Sequence, residues 1–140
     1  MIFWDSSALV ALLVTEEQSA SRLSQLQADP EMAVWWGTPV EIESALQRRL
    51  RDGTLDTDTS RLARERLADL SPCWHEVNPT SAVRKLALRL LRTHPLRAAD
   101  SLQLAASLAL QGAGLTSLTF ACADQRLAAA AEIEGLMLFA

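Results

Sequence analysis

The chain has 140 residues and a mass of 15.3 kDa, is 49% apolar and 21% charged, and carries a formal net charge of −4. That length and content suit one globular domain spanning 1–140, exclude disorder as the main state, and argue against coating nucleic acid by bulk charge. Ala and Leu supply 48 residues against ten Gly and Pro together, which favours helices over an all-β sandwich.

Residues 2–4, Ile-Phe-Trp, are an apolar run ended by Asp5, Ser6 and Ser7; the pattern predicts a buried strand, a cap, and a helix over 8–13. The apolar run 8–14 is far short of the roughly 20 residues a bilayer requires. Asp5 stands where a leader would be basic, so neither a membrane span nor a signal peptide is expected. Residues 16–28 are expected to continue as helix, until Asp29 and Pro30 stop it. A second strand over 32–36 closes at Gly37. Thr38, Pro39 and Glu41 then give a cap, a Pro at the first helical position and an acid three residues after the cap. Glu41 is therefore expected in a capping box, on a helix running to about Arg51.

Asp52 and Gly53 break that helix, and Thr57 or Asp58 caps the next, which reaches Leu70. A third strand is expected over 74–77, ended by Asn78 and Pro79, then helix over 80–92. His94 and Pro95 interrupt it. Residues 96–111 read as helix, Gly112 and Gly114 as loop, then 118–122 as strand, 124–132 as helix and 136–139 as strand. Strands alternating with helices imply right-handed crossovers and an α/β fold with a parallel sheet covered on both faces. The short, nearly all-apolar strands fit burial on both sides. Adjacent Trp35 and Trp36 are expected on opposite faces, one in the core and one covering the second face. Cys73 and Cys122 lack any C-x-x-C spacing and read as small buried apolar residues of a reduced, cytoplasmic protein.

In an open parallel sheet the ligand crevice lies outside the carboxyl ends of the strands, at a switch point in strand order. Asp5 follows the first strand, Glu41 lies one helical turn beyond the second, and Asp124 follows the fourth. Asp100 sits near the start of an Ala/Leu-rich helix. Each acid has an ordinary explanation: Asp5 and Asp124 as helix caps, Glu41 in its capping box, and Asp100 on a water-facing stripe with Arg97, Gln103, Ser107 and Gln111, although Leu96, Leu104 and Leu108 intrude on that stripe and suggest a partly covered groove instead. Those explanations do not predict that all four reach one edge. Two unit charges about 5 Å apart repel by roughly 3 kcal/mol at an effective dielectric of 20. A hard cation removes that repulsion, and an oxygen-only donor set selects Mg²⁺ or Mn²⁺ over zinc. Residues 48–97 hold 11 of the 13 basic groups against six acids, and 12 of the 13 are arginine, whose planar fork suits phosphate. Metal-dependent phosphodiester hydrolysis is the reaction class these residues suggest.

Asp5-Ser6-Ser7-Ala8-Leu9, Thr38-Pro39-Val40-Glu41 with Ala45-Leu46, the run from Leu96 to Ala106 around Leu-Arg-Ala-Ala-Asp, and Ala123-Asp124-Gln125-Arg126-Leu127 resemble the PIN-domain ribonucleases. In order, spacing and length the whole chain is similar to a VapC-type toxin of a bacterial toxin–antitoxin pair. The resemblance implies a three-layer α/β/α fold with a five-stranded parallel sheet in order 3-2-1-4-5. It implies that Asp5, Glu41, Asp100 and Asp124 form an acidic quartet for Mg²⁺ or Mn²⁺, with Ser7 as a supporting hydroxyl. It also implies an RNA substrate, a VapB-type antitoxin, and a homodimer that forms a heterotetramer or larger assembly with that antitoxin. Glu41 is preferred to Glu43, because Ala45 lies four residues after it as in the family. Cys122 stands where the family often has Thr or Ser. Two other readings are a catalytically degenerate PIN-like module that only binds RNA or a partner, and a receiver-like Mg²⁺-binding signalling domain. The latter needs a lysine near the last strand, and Lys85, the chain's one lysine, precedes the fourth.

Overall fold

The computed structural model describes residues 1–114 and 118–139, so 115–117 of the expected loop lie outside it. Ile2, Phe3 and Trp4 are wholly buried and form the central strand β1 (Ile2–Trp4). It pairs in parallel with β2 (Met32–Trp35) through Ile2↔Met32 and Phe3↔Ala33. On its other side it pairs with β4 (Thr119–Ala121) through Phe3↔Phe120 and Trp4↔Ala121. β3 (His75–Val77) and β5 (Met137–Leu138) are the edges, giving the order β3-β2-β1-β4-β5 with every pair parallel. Strand order reverses between β1 and β4, as the resemblance implies.

Alternate strand residues point to opposite faces and so build two cores. Phe3, Ala33, Trp35 and Phe120 pack against α5 (Ser81–Thr93), α6 (Ala98–Gly112) and α7 (Gln125–Ile133). Ile2, Trp4, Met32 and Val34 pack against α1 (Ser6–Leu13), α3 (Thr38–Arg51) and α4 (Thr57–Leu70). α2 (Ser19–Ala28) packs on α1. The Phe3 and Phe120 rings stack at 5.7 Å, which adds about 0.5–1.5 kcal/mol to the burial of each ring.

Several local expectations need correction. The first helix does not continue: α1 ends at Leu13 and α2 begins at Ser19 rather than residue 16, because Ser19 Oγ accepts from Glu16 N and donates to Val14 O, turning the chain first. α4 is capped by Asp56, whose Oδ1 accepts from Thr59 N, rather than by Thr57 or Asp58. α6 starts at Ala98, since Leu96 N bonds back to His94 O around Pro95. β3 is an exposed edge and not a strand buried on both sides. Trp36 lies beyond the end of β2 and is 53% exposed, so it does not cover the second face. Cys73 is exposed and Cys122 half-buried. The Asp100 stripe of α6 is partly covered and not simply water-facing: Gln103 and Ser107 are wholly buried, Asp100 and Gln111 half-buried and Arg97 exposed.

α3 starts one residue earlier than the capping box requires. Gly37 is its N-cap, with no side chain capping it. A Cβ at Gly37 would lie 2.6 Å from Trp35 Nε1, so only glycine lets the indole fold over this turn. Thr38 and Glu41 bond elsewhere, as described next.

Candidate functional site

The chain leaves β1 into α1 through Asp5, whose extended backbone makes it the N-cap. Asp5 Oδ2 accepts from Ser7 N at 3.0 Å and from the Ser7 hydroxyl. Ser7 Oγ in turn accepts from Ala123 N at 2.9 Å, tying the end of β1 to the loop after β4. Asp124 caps α7, its Oδ1 accepting from Leu127 N at 2.9 Å. The capping explanation thus holds for both Asp5 and Asp124. It fails for Glu41, whose Oε1 accepts from Ser6 Oγ at 3.0 Å and whose Oε2 accepts from Gln103 Nε2 at 2.9 Å. Asp100 lies half-buried in the first turn of α6, where the helix dipole favours an anion.

Glu41, Asp100 and Asp124 line one cavity of about 1050 Å³, together with Ser6, Ser7 and the arginines Arg48, Arg49, Arg97 and Arg126. Asp5 does not line it. It is 2% exposed, buried behind Ser6 and Ser7. Its Oδ1 is also buried and has no hydrogen-bond partner. Glu43, by contrast, is exposed and paired with Arg64. Arg49 is committed to Glu16 at 2.8 Å.

Burial raises the Asp5 carboxyl to about 7 against the lowering by Ser7, with the charges of Glu41 and Asp100 adding to the rise. Burial also raises Glu41, opposed by Gln103 and Ser6 and helped by Asp100. Asp100 is raised by burial and then by Asp124, while Arg97 opposes. The Cys122 thiol, desolvated and facing Asp5, is pushed up to about 12 and stays protonated. Such mutual penalties are what a bound cation relieves.

Among the described residues no three His, Cys, Asp or Glu side chains stand close enough to form a ready-made metal site. The donor chemistry still fits a hard divalent cation. The acids supply only oxygen, Asp5 Oδ1 is a buried acceptor without a donor, and three neighbouring carboxyls are held above their ordinary range. Asp5, Glu41, Asp100 and Asp124 are the residues that would hold it.

Two polar residues carry more of this site than the sequence indicated. Ser6 and Gln103 each hold one oxygen of Glu41, whereas only Ser7 was expected to support the acids. A glutamine in the middle of a helix rich in Ala and Leu was the available signal.

No family model and no curated protein sequence matches the chain. Solved structures do resemble it. FitAcB from Neisseria gonorrhoeae superposes with a TM-score of 0.68 at 16% identity, over 100% of this chain and 97% of that one. VapC20 from Mycobacterium tuberculosis, described as a sarcin-ricin loop cleaving toxin, gives 0.68 at 20% over 93% and 95%. VapBC2 from Rickettsia felis, bound to a DNA fragment from its promoter, gives 0.66 at 12% over 99% and 98%. The chain has a PIN-domain fold. In this PIN fold the cavity opens at the carboxyl ends of β1, β2 and β4, where the switch-point rule locates ligands. A receiver sheet runs 2-1-3-4-5 instead. Lys85 sits on the exposed side of α5, away from the cavity, so the receiver reading has no site here. No helix among the described residues is long and apolar enough to cross a membrane.

Proposed function

We propose that the chain is a Mg²⁺- or Mn²⁺-dependent endoribonuclease, a single PIN domain over 1–140 of the VapC toxin type. Asp5, Glu41, Asp100 and Asp124 are its metal-binding and catalytic carboxylates, and Ser7 is auxiliary. The observation that carries this reading is the buried, unpartnered Asp5 Oδ1 beside a cavity lined by three further acids. A cation held by Asp5, Glu41, Asp100 and Asp124 would supply Lewis acidity and positive charge for phosphodiester hydrolysis. The chain's own residues do the positioning. Ser7 fixes Asp5, Ser6 and Gln103 fix Glu41, and the dipole of α6 supports Asp100. Arg48, Arg97 and Arg126 hold the phosphates of the substrate strand.

The fold shared with VapC20, described as cleaving the sarcin-ricin loop, supports an RNA substrate. By the same likeness the partner is a VapB-type antitoxin, and the toxin is a cytoplasmic bacterial homodimer, assembling with antitoxin into a heterotetramer or larger complex. The test is incubation of structured RNA with purified protein, with and without Mn²⁺. Cleavage that needs the metal and disappears in Asp100→Asn is expected. Cleavage unchanged in Asp100→Asn contradicts the assignment.

The absence of three converged acids among the described residues favours a second reading, a degenerate PIN-like module that binds RNA or a partner without cutting. A melting temperature indifferent to Mn²⁺ would support it.

A further inference from the structure

Thr38 and Glu41 are spaced as a capping box, and left to themselves they would satisfy the first amides of α3. In the folded protein neither does. A single amide nitrogen, Gln103 Nε2 on α6, donates to Thr38 Oγ1 at 3.0 Å and to Glu41 Oε2 at 2.9 Å. The helix is left with Gly37 as its N-cap and no capping side chain. Gln103 is itself 0% exposed, and its Oε1 is buried without a hydrogen-bond partner. Two local costs thus accumulate at one contact: an uncapped helix and an orphaned carbonyl oxygen. An apolar side chain of the same length would avoid both.

We infer that Gln103 is a positioning residue that dismantles the capping box of α3 and aims the Glu41 carboxylate into the acid-lined cavity. The inference rests on the nuclease reading for its consequence in catalysis, but its geometric content stands apart. Ser6 completes the arrangement from α1, so each oxygen of Glu41 receives one protein hydrogen bond and keeps a lone pair for a cation. The amide orientation is fixed by this network, since turning it would set Gln103 Oε1 against Glu41 Oε2. Fixing one carboxylate from two other helices also links its position to the start of α6, where Asp100 sits three residues before Gln103.

The test is Gln103→Met, which keeps length and volume and removes the donor. Its crystal structure should show Glu41 turned out of the cavity toward the amides at the start of α3. Without metal, the variant should melt at or above the wild-type temperature. The upward shift in melting temperature with Mn²⁺ should fall to less than about half, because the ion has lost a positioned ligand. RNA cleavage should lose about 10- to 100-fold in kcat with KM little changed, as when a reacting group is displaced. Gln103→Leu, which likewise removes the donor, should move the same quantities in the same direction, and it serves if Gln103→Met does not fold.

The inference is overturned if Glu41 keeps its place in Gln103→Met, or in Gln103→Leu where that variant is the one that folds. It is also overturned if Gln103→Met melts several degrees lower while the Mn²⁺ shift and kcat are unchanged. A wild-type protein that neither responds to Mn²⁺ nor cuts RNA would defeat the nuclease reading instead. In that case the position of Glu41 in the folded variant still decides the role of Gln103.

Discussion

Asp5 combines two functions in one side chain. Its Oδ2 caps α1, while its Oδ1 is buried with nothing to bond. Burial lifts its carboxyl from the ordinary 3.8 to about 7. The folded chain therefore holds a proton that the unfolded chain releases between about pH 4 and 7, so the Asp5 contribution to metal-free stability declines as pH rises through that window. Asp5→Asn keeps a competent cap and removes the buried charge. Calorimetry without metal should find Asp5→Asn melting several degrees above the wild type at pH 8, with the gap closing towards pH 4. A variant that melts lower at pH 8 would show that the buried charge is already compensated. The sequence made this residue visible because it follows the first strand. That it lies behind the cavity and not on its wall could not be seen, since depth depends on how Ser6 and Ser7 pack.

At the scale of elements, runs of apolar residues and their breakers marked every strand and every helix within a few residues. Some misplaced details are set by local bonds, as at Ser19, Asp56 and Leu96, and by the turn at Gly37 that keeps the Trp36 indole off the sheet face. Others arise because contacts distant in sequence outcompete local ones. α3 is the clearest example, where Gln103, 62 residues on from Glu41, takes both residues of the expected box. A second distant contact fixes the segment between α5 and α6. Glu134, at the end of α7, receives Arg89 Nη2 at 2.8 Å and lies 2.7 Å from His94 Nε2. Those two partners hold its carboxyl down to about 2. The sign is opposite to that of Asp5: the contribution is present above the ordinary value of 4.5 and is lost as pH falls towards 2. Glu134→Gln should cost about 1 kcal/mol at pH 7, the range for a partly exposed pair. The difference from wild type should shrink below pH 4 in urea titrations, and an equal deficit at pH 3 and pH 7 would refute the electrostatic account.

For the whole molecule, sheet order decides what the sequence could only suggest. Placing β4 beside β1 brings the ends of two strands together and sets the acids at 41, 100 and 124 on one cavity, with Asp5 buried off its wall. Charge along the chain was a weaker guide. Of the eleven basic residues in 48–97, only Arg48, Arg49 and Arg97 reach the cavity, and Arg126 joins them from outside that stretch. Others are spent within the fold, as Arg61 is on Glu65 and Arg64 on Glu43. If Arg48, Arg97 and Arg126 each neutralise one phosphate, RNA binding should weaken with salt at a log–log slope of about −2, from roughly −0.7 per contact. Arg48→Ala should reduce the magnitude by about 0.7. A flat salt dependence would remove these arginines from the binding surface.

On the nuclease reading the four carboxylates become a cation site although no three of them stand close enough to form one ready-made. Anomalous diffraction from crystals soaked in MnCl₂ tests it most directly. The expected result is one strong peak, or two, bounded by Asp5, Glu41, Asp100 and Asp124, with Asp5 Oδ1 or Asp100 among the nearest atoms. A cavity without anomalous density, or with manganese bound only elsewhere on the surface, would contradict the account.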